Sequence, residues 1–274
     1  MDILTLRQAQ SQGAETLLDA LKTVELNVTE LCNRTCSFCP RSDRDLYPNQ
    51  NLHMSLDTVK KAANDLSTFN YSNRVSIVGF GEPTLYKELP TAIGIIRDKL
   101  PNLQWLEVNT NGDNLSRYLV ESLSMNGCNQ LTISMYDHDV SEKIHEMCIG
   151  ININLTFKHC YKEKFELKLV NRTEIATKNR ELNLRGQCYI PFYKMFIDHN
   201  GDVLLCNNDW GRDGKLGNIH EKSIRDVWLT SFQNIRNKLI AGDRSERPCK
   251  FCNVNGMIFG EDSFKVFKNE ANTD

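Results

Sequence analysis

The chain has 274 residues, 40% of them hydrophobic and 25% charged, with ten cysteines and a formal net charge of −2. That is apolar material enough for one large domain or a domain plus a small module, and the near-neutral balance excludes binding of nucleic acid or a membrane surface by bulk charge. No apolar run approaches the ~18 residues of a membrane span, and the opening MDILTLRQAQSQ lacks the basic-then-apolar order of a signal peptide, which predicts a cytoplasmic protein. In a reducing compartment, clustered cysteines bind metal or do chemistry rather than pair as disulfides.

Residues 1–23 form an N-terminal extension in which 14–22, AETLLDALK, carry the spacing of a short helix. VELNVT then alternates into the first cysteine cluster, a strand running into a loop. Residues 55–66 open with Ser55 as a cap and continue at helical spacing. The segment 74–83 is a strand ending in a Gly-rich turn, 88–100 a helix, 105–112 a strand meeting a turn, 115–127 a helix closed by Gly127, and 130–136 a strand. Further strands are predicted at 153–157 and 165–170. This alternation predicts an α/β fold of parallel units, with functional groups at the C-terminal ends of the strands. After Thr177 the rhythm changes. Residues 193–206 alternate on both sides of Asn200-Gly201, the favoured dipeptide of a tight hairpin, and 223–242 read as one helix or two closed by Gly242. Residues 261–274 read as a tail.

The cysteines fall into two sets. Cys32, Cys36 and Cys39 are spaced C-x3-C-x2-C. Three thiolates hold three irons of a cubic cluster and leave the fourth without a protein ligand; they also make three ligands of a zinc ion whose fourth would be His53 or His145. Cys188, Cys206, Cys249 and Cys252 are spaced C-x17-C, a long gap, then C-x2-C. Four thiolates make a closed site, structural or an electron conduit, and a zinc ribbon shares the pattern. Cys128, Cys148 and Cys160 read as small buried hydrophobes, Trp105, Trp210 and Trp228 as packing, and the lysines of 158–168 as a solvated face.

The first set, placed after a first strand with Phe38 before the last cysteine, resembles the radical S-adenosylmethionine enzymes. Gly79-Phe80-Gly81-Glu82-Pro83 looks like the family's GEP element, Asn109-Thr110-Asn111-Gly112 like its TNG, and Ser134 ends the fourth strand, where the family often places a cofactor-contacting hydroxyl. The resemblance implies a partial (β/α)6 TIM-like barrel over 24–180. It implies a 4Fe-4S cluster on Cys32, Cys36 and Cys39 whose open iron takes the amino and carboxylate groups of S-adenosyl-L-methionine. Cofactor contacts would come from Phe38, Gly81, Glu82, Pro83, Asn109, Asn111 and Ser134. An electron, supplied by a donor such as flavodoxin or ferredoxin, cleaves the sulfonium and yields a 5′-deoxyadenosyl radical. The stretches IDHNGDVLLCNNDW, LGNIHEKSIRDVW and CKFC resemble the SPASM extension. No cysteine lies between Cys206 and Cys249 or after Cys252, which matches its shortened twitch form. This implies one auxiliary 4Fe-4S cluster on Cys188, Cys206, Cys249 and Cys252, within 181–260.

Among these enzymes the chain is similar to the aminocyclitol-oxidising dehydrogenases, which share the CNRTC opening, the TNG-Asp run and an Asn-Arg pair before the first auxiliary cysteine. Asn171-Arg172 occupies that stretch, so Arg172 is the residue expected to position substrate; Thr173-Glu174 departs from the Gly-Gly of those enzymes and leaves the substrate open. The implied reaction takes the carbinol hydrogen of a small polar molecule such as a sugar or aminocyclitol. A proton leaves, the ketyl radical passes its electron to the auxiliary cluster, and a ketone remains. Asp209, Glu82 and Tyr136 are candidates for the base. One alternative is an epimerase drawing hydrogen from Cys128, Cys148 or Cys160. Another is a peptide-modifying enzyme, against which the 23 residues before the first strand are too few for a peptide-recognition domain. A more distant alternative is a non-catalytic zinc-binding module.

Overall fold

In the computed structural model, the structure is described for residues 2–137, 139–160, 187–254 and 259–271. Eight strands form one sheet: β1 (Thr23–Leu26), β2 (Arg74–Ile77), β3 (Trp105–Thr110), β4 (Gln130–Met135), β5 (Asn154–His159), β6 (Lys194–Ile197), β7 (Asp202–Leu204) and β8 (Lys215–Asn218). Their order is β5-β4-β3-β2-β1-β6-β7-β8. The pairs from β5 through β1 to β6 are parallel, whereas β6–β7 and β7–β8 are antiparallel. This is the expected α/β partial barrel with a C-terminal hairpin. The hairpin is not a separate layer, because Thr23–Leu26 pair with Lys194–Ile197 and carry the barrel sheet into it. The expected strand at 165–170 lies outside the described residues.

The helices follow from caps and apolar spacing. After α1 (Ile3–Ala9), α2 (Leu56–Ser67) starts where Ser55 Oγ accepts from the Thr58 backbone N–H at 3.1 Å, and it buries Val59, Ala62, Ala63 and Leu66. α3 (Leu89–Lys99) packs beside it and α4 (Arg117–Met125) packs beside α3, with Ser116 capping α4. The chain then makes α5 (Ser141–Cys148), which sequence spacing did not predict, and α6 (Ile190–Tyr193). The expected 223–242 helix breaks into α7 (Ile224–Asp226), a π-helical turn at Val227–Ser231 and α8 (Gln233–Ile240). β1 and β2 are buried at every residue, as strands covered on both faces are. No helix among the described residues is long and apolar enough to cross a membrane.

Two expectations are corrected at the ends. Residues 14–22 are turns, closed by Ala20 N–H to Thr16 O and Leu21 N–H to Leu18 O, because Ala20 and Leu21 both insert into the core. The helix lies earlier, in α1, where only Leu6 is buried and the apolar spacing is correspondingly faint. Residues 261–270, expected as part of a tail, are not one. They form α9 (Glu261–Glu270), whose Phe264 and Phe267 sit against Phe192 and Trp228.

Candidate active site

A cavity of about 430 Å³ opens over the C-terminal edge of the parallel strands. The register explains why the motifs meet there. Leu26 pairs with Ile77, Asn109 with Thr132 and Ser134 with Lys158, so the strands end at one edge and the segments after them share one rim. Cys32, Cys36, Phe38, Cys39, Gly81, Glu82, Asn109, Asn111 and Ser134 all line the cavity. Pro83 does not; it opens the short turn Pro83–Leu85 behind Glu82.

The cysteine loop is held to this rim by backbone and ion-pair contacts. Glu82 donates its N–H to Leu31 O at 2.7 Å. Gly81 passes so close that a Cβ there would stand 2.2 Å from Thr29 O and 2.5 Å from Leu31 O. Cys32 exchanges two bonds with the Asn49 amide. Asn33 and Arg34 donate to Asp113, Arg34 reaches Asp137 as well, and Asn111 donates to Asn33. The CNRTC opening and the TNG-Asp run are thus one clamp. Burial raises the Cys32 thiol, and burial together with the neighbouring Cys39 and Cys32 pushes the Cys36 thiol up to about 11.

Glu82 is buried, and that burial raises its pKa despite four hydrogen bonds. Oε1 accepts from Thr110 Oγ1, Thr84 Oγ1 and Thr84 N, while Oε2 accepts only from Asn111 N, leaving acceptor capacity in a residue that lines the cavity. Beneath it the floor is charged. Glu107 is fully buried yet titrates well below the usual carboxylate range. Burial pushes it up, but Arg74 and Arg7 outweigh that cost. Arg7, on α1, grips both Glu107 oxygens at 2.7 Å, Arg74 donates at 2.5 Å and Thr132 at 2.6 Å. Glu25, also on the cavity wall, takes Lys194 on Oε1 at 2.7 Å, while its buried Oε2 has no hydrogen-bond partner.

The second cysteine set surrounds a small cavity of about 20 Å³ lined also by Ile190, Pro191, Leu205, Pro248 and Val254. Cys188 precedes α6, Cys206 follows β7, and Cys249 and Cys252 bracket a single 3-10 turn. Burial pushes the Cys188 thiol up to about 11 and Cys249 to about 12, and raises Cys206 well above its ordinary value. Such thiols ionise only beside a compensating metal charge. Four thiolates on one zinc at ~2.3 Å would stand ~3.8 Å apart. Among the described residues, only Glu30, Asp198 and His199 bring three ligand-type atoms within 4.8 Å of one another; neither cysteine set is that tight. The all-thiol donor sets suit iron–sulfur clusters. Glu30 and Asp198 are already occupied by Arg41, Arg212 and Asn27, an ion-pair network joining the cysteine loop to the hairpin.

Other expected residues are placed as follows. Arg172 lies outside the described residues. Tyr136 lines the large cavity, its ring 5.2 Å from Phe38, whereas Asp209 lines neither cavity and accepts from the Asp213 and Gly214 N–H groups. His53 stacks on Tyr86, His145 is tilted against Phe157, and neither lines either cysteine cavity. Cys128, Cys148 and Cys160 are buried as read and line neither cavity. Trp210 packs on Phe80 at 4.5 Å and borders the cavity; Trp228 is core. Lys158, read as part of a solvated face, is exposed and also lines the cavity. Sequence reasoning missed Arg7 and Glu25. The one signal for Glu25 was a carboxylate inside an otherwise apolar strand; Arg7 carried none.

Comparison with known proteins agrees with this arrangement. The Radical SAM superfamily description matches residues 26–160, and SPASM, an iron-sulfur cluster-binding domain, matches 188–253. The chain is 26% identical over 235 residues to the S-adenosyl-L-methionine-dependent 2-deoxy-scyllo-inosamine dehydrogenase of Niallia circulans, covering 84% of this chain and 92% of that one. It is 27% identical over 138 residues to the GTP 3′,8-cyclase of Klebsiella pneumoniae, covering 47% of this chain and 41% of the cyclase. The crystal structure of BtrN in complex with AdoMet and 2-DOIA shares the fold, with a TM-score of 0.71 and 24% identity, covering 89% of this chain and 95% of that chain. Native anSMEcpe with bound AdoMet shares it at a TM-score of 0.57 and 14% identity, covering 92% and 97%.

Proposed function

The chain belongs to the radical SAM superfamily and carries a SPASM iron-sulfur domain, and from that premise we propose that it dehydrogenates a hydroxyl-bearing carbon of a small polar substrate such as a sugar or aminocyclitol. In this reading Cys32, Cys36 and Cys39 hold a 4Fe-4S cluster with one open iron, and Cys188, Cys206, Cys249 and Cys252 hold an auxiliary 4Fe-4S cluster. The chain divides into a barrel over 24–180 and an auxiliary domain over 181–260. The bound groups supply the one-electron chemistry: the first cluster with S-adenosyl-L-methionine yields the 5′-deoxyadenosyl radical that takes the carbinol hydrogen, and the auxiliary cluster takes up the remaining electron.

The residues of the chain supply binding and orientation. Glu82, with spare acceptor capacity on Oε2, receives the ammonium of the methionine moiety, and that charge restores the ionised form that burial disfavours. Asn109, Asn111 and Ser134 offer neutral polar contacts along the same wall. Glu25, whose carboxylate lines the same cavity, accepts a substrate hydroxyl or amino group. Arg172 remains the proposed substrate-positioning guanidinium, and a flavodoxin or ferredoxin the proposed electron donor.

One observation carries the assignment: the two thiol sets differ in access. Three border a cavity of about 430 Å³ that admits cofactor and substrate, and four surround one of about 20 Å³ that admits neither. The second set therefore suits electron traffic. No other cysteine of the described residues lines the large cavity, so the thiol donor an epimerase needs is absent among them. The test is anaerobic incubation of reconstituted enzyme with a panel of polyols and aminocyclitols under chemical reduction. One 5′-deoxyadenosine is expected per ketone formed. Product of unchanged oxidation level carrying solvent deuterium at carbon would refute the assignment in favour of epimerisation.

A further inference from the structure

Arg244 lies between α8 and the turn that carries Cys249 and Cys252. It is 5% exposed. It lines the same small cavity as the four cysteines. Its polar partners among the described residues are two carbonyls, Val254 O and Cys252 O, each at 3.2 Å. Among the described residues its Nε–H has no hydrogen-bond partner. A buried guanidinium satisfied only by carbonyls is costly, because nothing offsets its charge.

We propose that Arg244 is a positioning residue for the auxiliary cluster, donating its Nε–H to a cluster or cysteine sulfur and raising the reduction potential of that cluster. The inference rests on the reading that the second cysteine set holds a 4Fe-4S cluster. Four thiolates make such a cluster anionic, and taking up an electron makes it one unit more negative. A fixed cation in a low-dielectric pocket stabilises the reduced form more than the oxidised one, and a hydrogen bond to sulfur acts in the same direction. The two carbonyl contacts meanwhile set the guanidinium plane and tie it to the Cys249–Cys252 segment. Arg244 thereby makes the auxiliary cluster a better acceptor for the electron leaving the substrate radical.

The test uses the full reconstituted chain. Wild-type enzyme labelled with 15N-arginine is reduced, and the auxiliary cluster is examined by pulsed electron–nuclear resonance, its signal separated from that of the first cluster by the response of the latter to S-adenosyl-L-methionine. A resolved 15N coupling is expected. Redox titrations then compare wild type with Arg244→Gln and Arg244→Lys. The auxiliary midpoint should shift to lower potential in R244Q, with R244K in between, at unchanged iron content. If R244Q fails to assemble the cluster, the 15N measurement on wild type decides alone. Absent coupling, or an R244Q midpoint equal to wild type, overturns the inference while the cluster assignment stands. A wild-type chain with roughly four irons rather than eight overturns the cluster assignment and the role of Arg244 with it.

Discussion

Replacing Gly81 by alanine tests the claim that the GEP turn holds the cysteine loop in place. An added Cβ would lie 2.2 Å from Thr29 O, whereas real Cβ atoms keep at least 3.0 Å, so the turn and the loop must separate by about 0.8 Å. Both obstructing atoms, Thr29 O and Leu31 O, are backbone, so no side-chain rotation relieves the clash. Overpacking of this kind costs ~1–3 kcal/mol. The separation also breaks the bond from Glu82 N–H to Leu31 O, worth ~1 kcal/mol net. The variant should therefore unfold with ~2–4 kcal/mol less free energy in urea. Leu31 directly precedes Cys32, so the displacement passes to the first thiol, and reconstituted G81A should lose iron from the first site together with 5′-deoxyadenosine formation. Gly94→Ala is the control, since its Cβ in α3 meets the side chain of Asn126, which can turn away. That change should lie within ~1 kcal/mol of wild type. A G81A enzyme with wild-type urea midpoint, full iron and undiminished S-adenosylmethionine cleavage would refute the clamp.

Glu107→Gln should destabilise the chain by ~3–5 kcal/mol in chemical denaturation, because Arg7 and Arg74 lose a buried counter-charge. The folded Glu107 pKa lies below its ordinary value of 4.5, so its contribution is complete above that pH and is lost as pH falls toward the folded value. The acid limb of stability should accordingly be flatter in E107Q than in wild type. Cys188→Ala or Cys206→Ala should lower iron content by about half and uncouple the reaction, 5′-deoxyadenosine forming without a matching amount of ketone. Glu25→Gln should lower kcat/KM for the oxidised substrate by ~10–100-fold, as expected for a charged hydrogen bond of ~1.5–3 kcal/mol. Cofactor cleavage without substrate should be unchanged, and an unchanged kcat/KM would remove Glu25 from the substrate site.

Chemistry that depends on residues close in the chain was readable in the sequence. The C-x3-C-x2-C loop, the GEP turn, the TNG run and Ser134 each end a strand whose apolar pattern was visible, and parallel β/α units bring successive strand ends to one edge wherever they occur. The hairpin at Asn200-Gly201 was equally local, with Gly201 at φ +85°. Only the tertiary structure decided which distant groups meet. Arg7 reaches Glu107 across a hundred residues, Glu25 comes to the cavity wall, β6 extends the barrel sheet from beyond β1, and Arg244 joins four thiols drawn from three separate segments. The same cause explains the two ends of the chain, where Ala20 and Leu21 turn into the core and Phe264 and Phe267 pack as a helix. Periodicity and spacing report what a segment does alone. Burial and charge pairing depend on what the closed sheet places opposite it, and no short window of sequence contains that partner.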